Sequence, residues 1–271
     1  MVSIKKAIIP AAGYGTRSLP ITKAVPKEMF PVAGKPAIQY VVEEAIASGI
    51  EEILIVLSRN KSLIMDYFDR SLEYEAFLEK VNKQHLIGKI DIPDIHLQYI
   101  RQPFAEGLGA AVKLGRRFAG NEPFAVLLPD DIFIGDEPPA LAQLSALHKE
   151  TGLSVIGLKK VKKDLLKNYG VIKEEKLSEG KYRLIDIVEK PKKSPPSNLA
   201  VSGRYIFTPS LFDHLEKTTK GAGGELQLTD AVKSLLKEEK CYGIEISRNR
   251  YDIGSEADYL KLIQTIMESG K

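Results

Sequence analysis

Apolar positions along this chain return with two alternating rhythms. Short, nearly continuous runs rich in isoleucine, valine and leucine alternate with longer stretches whose apolar residues recur every three or four positions. The first kind reads as buried strands and the second as amphipathic helices, so the alternation predicts parallel strands joined by crossover helices. Strands are expected at Ala7 to Ile9, Ile53 to Leu57, His96 to Ile100, Phe124 to Leu128 and Leu153 to Leu158. Between the first two, Ile38, Val41, Val42, Ala45 and Ile46 fall on one helical face, with Pro36 suited to the first turn and Gly49 to the stop. Further helices are expected from Gly107 to Phe118 and from about Pro139 to Lys149.

The pattern then changes. Tyr169 to Ile172, Tyr182 to Val188 and Arg204 to Phe207 are strand-like runs without intervening helices, which predicts an antiparallel lobe attached to the sheet. The stretch from Leu63 to Lys89 reads as a charged, mostly helical insertion carrying Tyr67, Phe68, Tyr74, Phe77 and Leu78, which either packs on its own sheet or meets another subunit. The expected fold is therefore α/β: a doubly wound, mostly parallel, Rossmann-like sheet with a small antiparallel lobe. One domain spanning 1–271 is expected, with halves at 1–160 and 161–271 and a final helix.

Composition narrows the partners. At 271 residues and 44% hydrophobic, the chain can bury a sizeable core. The 39 basic and 36 acidic residues leave a formal charge of +3, which argues against a nucleic-acid binder and means any anionic partner must be gripped locally. Cys241 is the only cysteine, so no internal disulfide is expected. The apolar run after Lys5 and Lys6 lasts only from Ala7 to Ala12, too short for a signal or a membrane span, and a cytoplasmic location is expected.

The most informative stretch follows the first strand: Gly13, Tyr14, Gly15, Thr16 and Arg17, then Pro20, Lys23, Pro26 and Lys27. A glycine-rich turn at the carboxyl end of a first parallel strand lets backbone N–H groups approach an anion. Arg17, Lys23 and Lys27 can supply the positive charge that a triphosphate requires. A lone Gly-x-Gly is also an ordinary turn, but three basic residues and two prolines beside it favour a site. The Gly-Lys-Ser/Thr of a Walker loop is absent, and the second strand ends in Leu57, Ser58 and Arg59 where a dinucleotide fingerprint needs an acid.

Phe124 to Leu128 delivers Pro129, Asp130 and Asp131 to its carboxyl end, where open sheets bind ligands. Carboxylates there suit Mg²⁺, although adjacent acids in a loop are also common turn formers. A second acid, Asp252 in Tyr251-Asp-Ile-Gly254, read alone serves equally to cap the last helix or to shape its preceding turn. Gln102 offers both donor and acceptor to a base edge, and Gly107 permits close approach of a ring; without further context Gln102 also reads as a surface residue. Glu189 and Lys190 suit a sugar hydroxyl and its phosphate, or else are routine exposed charge. The four histidines lack metal-ligand spacing and an evident nucleophile partner.

Gly13-Tyr-Gly-Thr-Arg-Ser-Leu-Pro-Ile-Thr-Lys-Ala-Val-Pro-Lys-Glu-Met29 resembles the signature of the bacterial UTP:glucose-1-phosphate uridylyltransferases, within the wider sugar-1-phosphate nucleotidyltransferases. The likeness continues through further segments along essentially the whole chain, including Tyr169-Gly-Val171, Val188-Glu-Lys-Pro191, Val201-Ser-Gly-Arg-Tyr205 and Gly221 to Asp230. It implies UTP and glucose 1-phosphate as substrates and Mg²⁺ as cofactor, with 1–160 the nucleotide half and 161–271 the sugar lobe. By the same resemblance Arg17, Lys27 and Lys190 are catalytic, and Asp130 and Asp252 hold the metal. The backbone of Ala11, Ala12 and Gly13, with Gly15, Gln102, Gly107 and Asp130, binds the nucleotide, and Gly170, Glu189, Gly203 and Glu225 contact the hexose. A homodimer or homotetramer is implied, with neither nucleic acid nor membrane as partner.

The match departs in two places. The family commonly shows Lys-Gly-Leu-Gly-His where this chain has Glu106-Gly-Leu-Gly-Ala110, and Asp252-Ile-Gly-Ser-Glu-Ala-Asp-Tyr259 puts Glu256 and Asp258 where a lysine and a glycine are usual. Reversed charge near a polyphosphate is costly unless screened, so a transferase using dTTP or another hexose 1-phosphate, or a catalytically silent sugar-nucleotide binder, stands beside the main reading.

Overall fold

The computed structural model describes residues 3–269. The chain opens with β1 (Lys6–Ala11), continues through a coiled segment and a small hairpin, β2 (Pro31–Val32) and β3 (Lys35–Pro36), and enters α1 (Ala37–Ala47) and β4 (Glu52–Leu57). The insertion forms α2 (Ser62–Phe68) and α3 (Leu72–Lys80) before β5 (His96–Arg101). There follow α4 (Leu108–Lys113), α5 (Arg116–Ala119), β6 (Phe124–Leu127), β7 (Asp131–Ile134), α6 (Ala140–Thr151) and β8 (Ser154–Lys160). The second half comprises β9 (Gly170–Ser178), β10 (Lys181–Glu189), β11 (Leu199–Phe207), α7 (Leu211–Lys217), α8 (Leu228–Leu235), β12 (Cys241–Glu245), β13 (Asn249–Asp252) and α9 (Glu256–Ser269).

Nine strands form one sheet in the order β5-β4-β1-β6-β11-β8-β12-β10-β9. β5, β4, β1 and β6 run parallel, β11 lies antiparallel between β6 and β8, and β9 and β10 close the far edge as an antiparallel pair. The antiparallel lobe is thus attached by continuing the sheet itself. From β1 the chain steps outward to β4 and β5, then returns to lay β6 on β1's other side. This reversal opens a crevice at the carboxyl ends of β1 and β6, where doubly wound sheets take their ligands. The loops after Ala11 and Leu127 both emerge there.

Strand periodicity sorts β1 between two cores: Ala7, Ile9 and Ala11 join the layer of α1, α6 and α9, while Ile8 and Ala12 join that of α4, α7 and α8. The helix expected from Gly107 to Phe118 is broken into α4 and α5. The break falls at Gly115, where a Cβ would lie 2.2 Å from Ile8 Cδ1, so the chain passes the sheet without room for a side chain. The insertion buries Ile64, Phe68 and Leu78 and leaves Leu72, Tyr74 and Phe77 exposed. Among the described residues no helix is long and apolar enough to cross a membrane.

Candidate functional site

Two cavities open at the crevice and share Leu108, Leu128, Asp130 and Glu225. The smaller, about 350 Å³, lies under the turn after β1 and is lined by Ala12, Gly13, Gly15, Lys27, Glu28, Gln102 and Gly107 among others. The larger, about 510 Å³, lies toward β9 to β11 and includes Arg17, Gly170, Glu189, Lys190, Gly203, Arg250 and Asp252. Fourteen of the fifteen site residues expected from sequence therefore surround one continuous cleft. Ala11 is the exception. Its side chain is fully buried in the core and it lines neither cavity, because strand alternation turns it away from Ala12. Lys23, a weaker candidate, is exposed and also outside both linings.

The charges at the junction are ordered. Lys27 Nζ donates to Asp130 Oδ2 at 2.5 Å, and Arg17 reaches Asp252 Oδ2 at 3.0 Å and Asp130 Oδ2 at 3.7 Å. Burial alone would raise the Asp130 carboxyl, but Lys27 and then Arg17 overcome it and hold the group down at about 2. Burial likewise disfavours the Lys27 ammonium, and Asp130 with Glu28 more than restores it. Asp130 is therefore ionised and Lys27 charged at neutral pH.

Asp130 and Asp252 are far apart in sequence, and a short antiparallel ribbon joins them. β13 pairs with β7 so that Asp252 stands opposite Asp131, and the Ile253 N–H donates to the Asp130 carbonyl at 2.9 Å. Asp252 also shapes its own turn, since Oδ1 accepts the Gly254 N–H at 2.8 Å. Asp131 turns from the junction and pairs with Arg250, whose Nε donates to it at 2.7 Å and whose guanidinium lies 4.7 Å from the Tyr169 ring. Gly203 is required there: its φ is 69°, and a Cβ would fall 2.1 Å from Asp131 Oδ2.

Glu189 and Lys190 are held by neighbours. Glu189 Oε2 accepts from Thr229 Oγ1 at 2.6 Å, and Lys190 Nζ lies 3.2 Å from Glu189 Oε1. Lys190 itself has φ of 45°, an unfavourable conformation for a side-chain-bearing residue and one that tends to persist where function fixes the backbone. Gly107 packs against the segment bearing Glu225, where a Cβ would come within 2.8 Å of Glu225 Cβ. Tight contact of these two loops joins the two cavities, both of which Glu225 lines.

Several lining residues escaped the sequence reading. Glu28 and Lys61 form a buried ion pair beneath the turn, Nζ to Oε2 2.5 Å, and burial lowers the lysine despite the carboxylate. Glu28 Oε1 is buried without a hydrogen-bond partner. Nothing in the sequence pairs Glu28 with Lys61, and Arg250 becomes visible only once β13 is placed on β7. The charge reversals are accommodated: Glu106 pairs with Lys220 at 2.9 Å, Glu256 is exposed in the first turn of α9, and Asp258 accepts the Asp252 N–H at 3.4 Å. Acids in the first turn of a helix face the positive end of its dipole.

Comparison with known proteins agrees with this geometry. A Bacillus subtilis (strain 168) chain, provisionally named a UTP–glucose-1-phosphate uridylyltransferase, is 55% identical over 268 residues, covering 99% of this chain and 98% of its own length. A UDP-glucose pyrophosphorylase crystallised with UDP-glucose superposes with a TM-score of 0.88 at 42% identity, over 98% of this chain and 99% of that one. A UTP-bound enzyme of the same kind from Acinetobacter baumannii also gives 0.88, at 35% identity over 97% and 93%. The family profile described as nucleotidyl transferase matches residues 6–269. Since that match runs from the first strand to the last helix, the whole described fold is accounted for, and the chain belongs to the nucleotidyl transferase family.

Proposed function

We propose that this chain transfers a uridylyl group from UTP to glucose 1-phosphate, giving UDP-glucose and pyrophosphate by direct in-line displacement. The observation that carries the reading is the meeting of the two cavities at Asp130, with Arg17 and Lys27 at the junction. A phosphate oxygen of the sugar phosphate forms the new bond to the α-phosphorus. The bond to the bridging oxygen breaks, and pyrophosphate leaves with its electron pair. The attacking phosphate is already ionised near neutral pH, so the chain needs no general base and no nucleophile of its own. The obstacle is the mutual repulsion of two polyanions, which cations lower as charge shifts in the transition state.

Arg17 and Lys27 serve the triphosphate and Lys190 the incoming phosphate. Glu189, Glu225 and the backbone at Gly170 and Gly203 face the hexose hydroxyls. Glu28 lines the base-side cavity with a free acceptor, Oε1, which suits the N3–H of uracil or thymine and not the N3 lone pair of cytosine. Gln102 and Gly107 complete that edge.

Mg²⁺ fits the acids present. Arg17 contacts both Asp130 and Asp252, so the two carboxylates already share one cationic head group. Among the described residues no three acids, histidines or cysteines form a cage, which suits an ion that takes one or two carboxylates and leaves its other positions to phosphate and water. Asp130 and Asp252 would hold it, and when bound it neutralises phosphate charge. A cytoplasmic homo-oligomer, joined through the exposed face of the 63–89 insertion, completes the proposal and is tested by sedimentation.

The decisive assay follows pyrophosphate release and identifies products for UTP, dTTP, CTP and ATP against several hexose 1-phosphates, with and without Mg²⁺. UDP-glucose from UTP and glucose 1-phosphate is expected to form fastest. Faster use of dTTP or another hexose would replace the substrate assignment, and binding of UDP-glucose without turnover would leave only a binding protein.

A further inference from the structure

Arg204 on β11 is fully buried, and every N–H of its guanidinium is used. Nε and Nη2 donate to the two carboxylate oxygens of Glu44 on α1, both at 2.9 Å. Nη1 donates to the carbonyls of Leu128 and Gly203, both at 3.1 Å, and Nη2 donates also to the carbonyl of Asp131 at 2.8 Å. The guanidinium lies 4.8 Å from the Phe133 ring, and Glu44 Oε1 in turn accepts the Leu141 N–H at 3.0 Å at the start of α6. A fork with five donors in one plane can do this; the ammonium of lysine, with three donors at a point, cannot.

A buried ion pair is a poor way to stabilise a core, since apolar residues of similar volume do as well or better. What this pair holds is specific. Leu128 and Asp131 bracket Asp130, so the fork grips the backbone at both ends of the turn that presents the junction carboxylate. The third carbonyl in that turn, that of Asp130, takes the Ile253 N–H at 2.9 Å, from the residue following Asp252. We infer that Glu44 and Arg204 are positioning residues that set the Asp130 carboxylate against Lys27, Arg17 and the bound divalent ion. This rests on the function proposed above and extends it to residues that touch no substrate.

The test uses two variants of the full chain, Arg204→Lys and the apolar double variant E44M/R204M, each compared with wild type. Thermal melting reports folding, steady-state pyrophosphate release gives kcat and KM, and electron paramagnetic resonance gives Mn²⁺ affinity with a non-hydrolysable UTP analogue bound. Both variants are expected to melt cooperatively. Their kcat should fall by about 10²-fold, the order expected for an ångström-scale misplacement. Mn²⁺ affinity should weaken by about tenfold or more, as when a metal ligand loses its supporting contacts, with KM for glucose 1-phosphate within about threefold. Folded variants with normal kcat and Mn²⁺ affinity would make the pair ordinary core packing and overturn the inference. Failure of Arg204→Lys to fold would overturn it too, since the fork would then be a folding requirement. Inactive wild-type protein would count against the proposed function instead.

Discussion

Replacing Lys27 with methionine removes one charge at nearly constant volume, and the structure sets the size of the effect. Lys27 is the nearest cation to Asp130, and the carboxyl is held from its ordinary 3.8 down to about 2 against a burial cost that pushes the other way. At roughly 1.36 kcal/mol per pKa unit, that depression corresponds to about 2 kcal/mol of native-state preference for the ionised form, shared among Lys27, Arg17 and backbone. Metal-free Lys27→Met, which leaves the Asp130 carboxylate buried with one cation fewer, should therefore lose stability on the order of 2 kcal/mol at pH 7. A depressed acid contributes fully above its unfolded value and loses its contribution as pH falls through the folded one. The stability gap to wild type should thus be flat at neutral pH and shrink between about 4 and 2. Catalysis should suffer more, because Lys27 meets phosphate charge as it redistributes: kcat is expected to drop about 10²-fold or more, with a smaller rise in KM for UTP. Pyrophosphate-release kinetics and melting in EDTA across pH measure both. Near-normal turnover with only weaker UTP binding would refute a transition-state role, and a pH-independent gap would refute the electrostatic cause.

Gly203→Ala puts a methyl 2.1 Å from Asp131 Oδ2 at a φ of 69°, so melting should report a loss of about 1–3 kcal/mol, with lowered turnover; unchanged behaviour would mean that this close approach is dispensable. Glu28→Gln replaces the free acceptor facing the base, and the ratio of kcat/KM for UTP over CTP should fall at least about tenfold; an unchanged ratio would remove Glu28 from base recognition. Glu106→Lys restores the residue common in the resembling family and breaks an exposed pair with Lys220, so kcat/KM should stay within about threefold. A tenfold change in either direction would show that the reversal tunes the site.

The positions of β1, β4, β6 and β8 were legible because two-sided burial leaves an apolar run that little else produces. The turn after β1 was legible because glycines, prolines and cations crowd a few positions. What stayed hidden depends on partners distant in the chain. Gly115 looks like any mid-helix glycine until Ile8 is set against it, and the β13–β7 ribbon carrying Asp252 has no sequence signal beyond alternation. Glu44 and Arg204, 160 positions apart, read separately as a surface helix residue and a strand residue. The resemblance implies a site role for the backbone of Ala11, whose side chain the two-residue alternation of strand faces buries in the core.

In the proposed reaction transfer is direct, and the side chains of the cleft orient the reactants without bonding to them. The stereochemical course at the α-phosphorus tests this most directly, using UTP made chiral by sulfur at that phosphate and glucose 1-phosphate as acceptor. A single in-line displacement predicts that the UDP-glucose analogue forms with inverted configuration. Retention would reveal two successive displacements through a nucleotidylated residue, and would contradict the account.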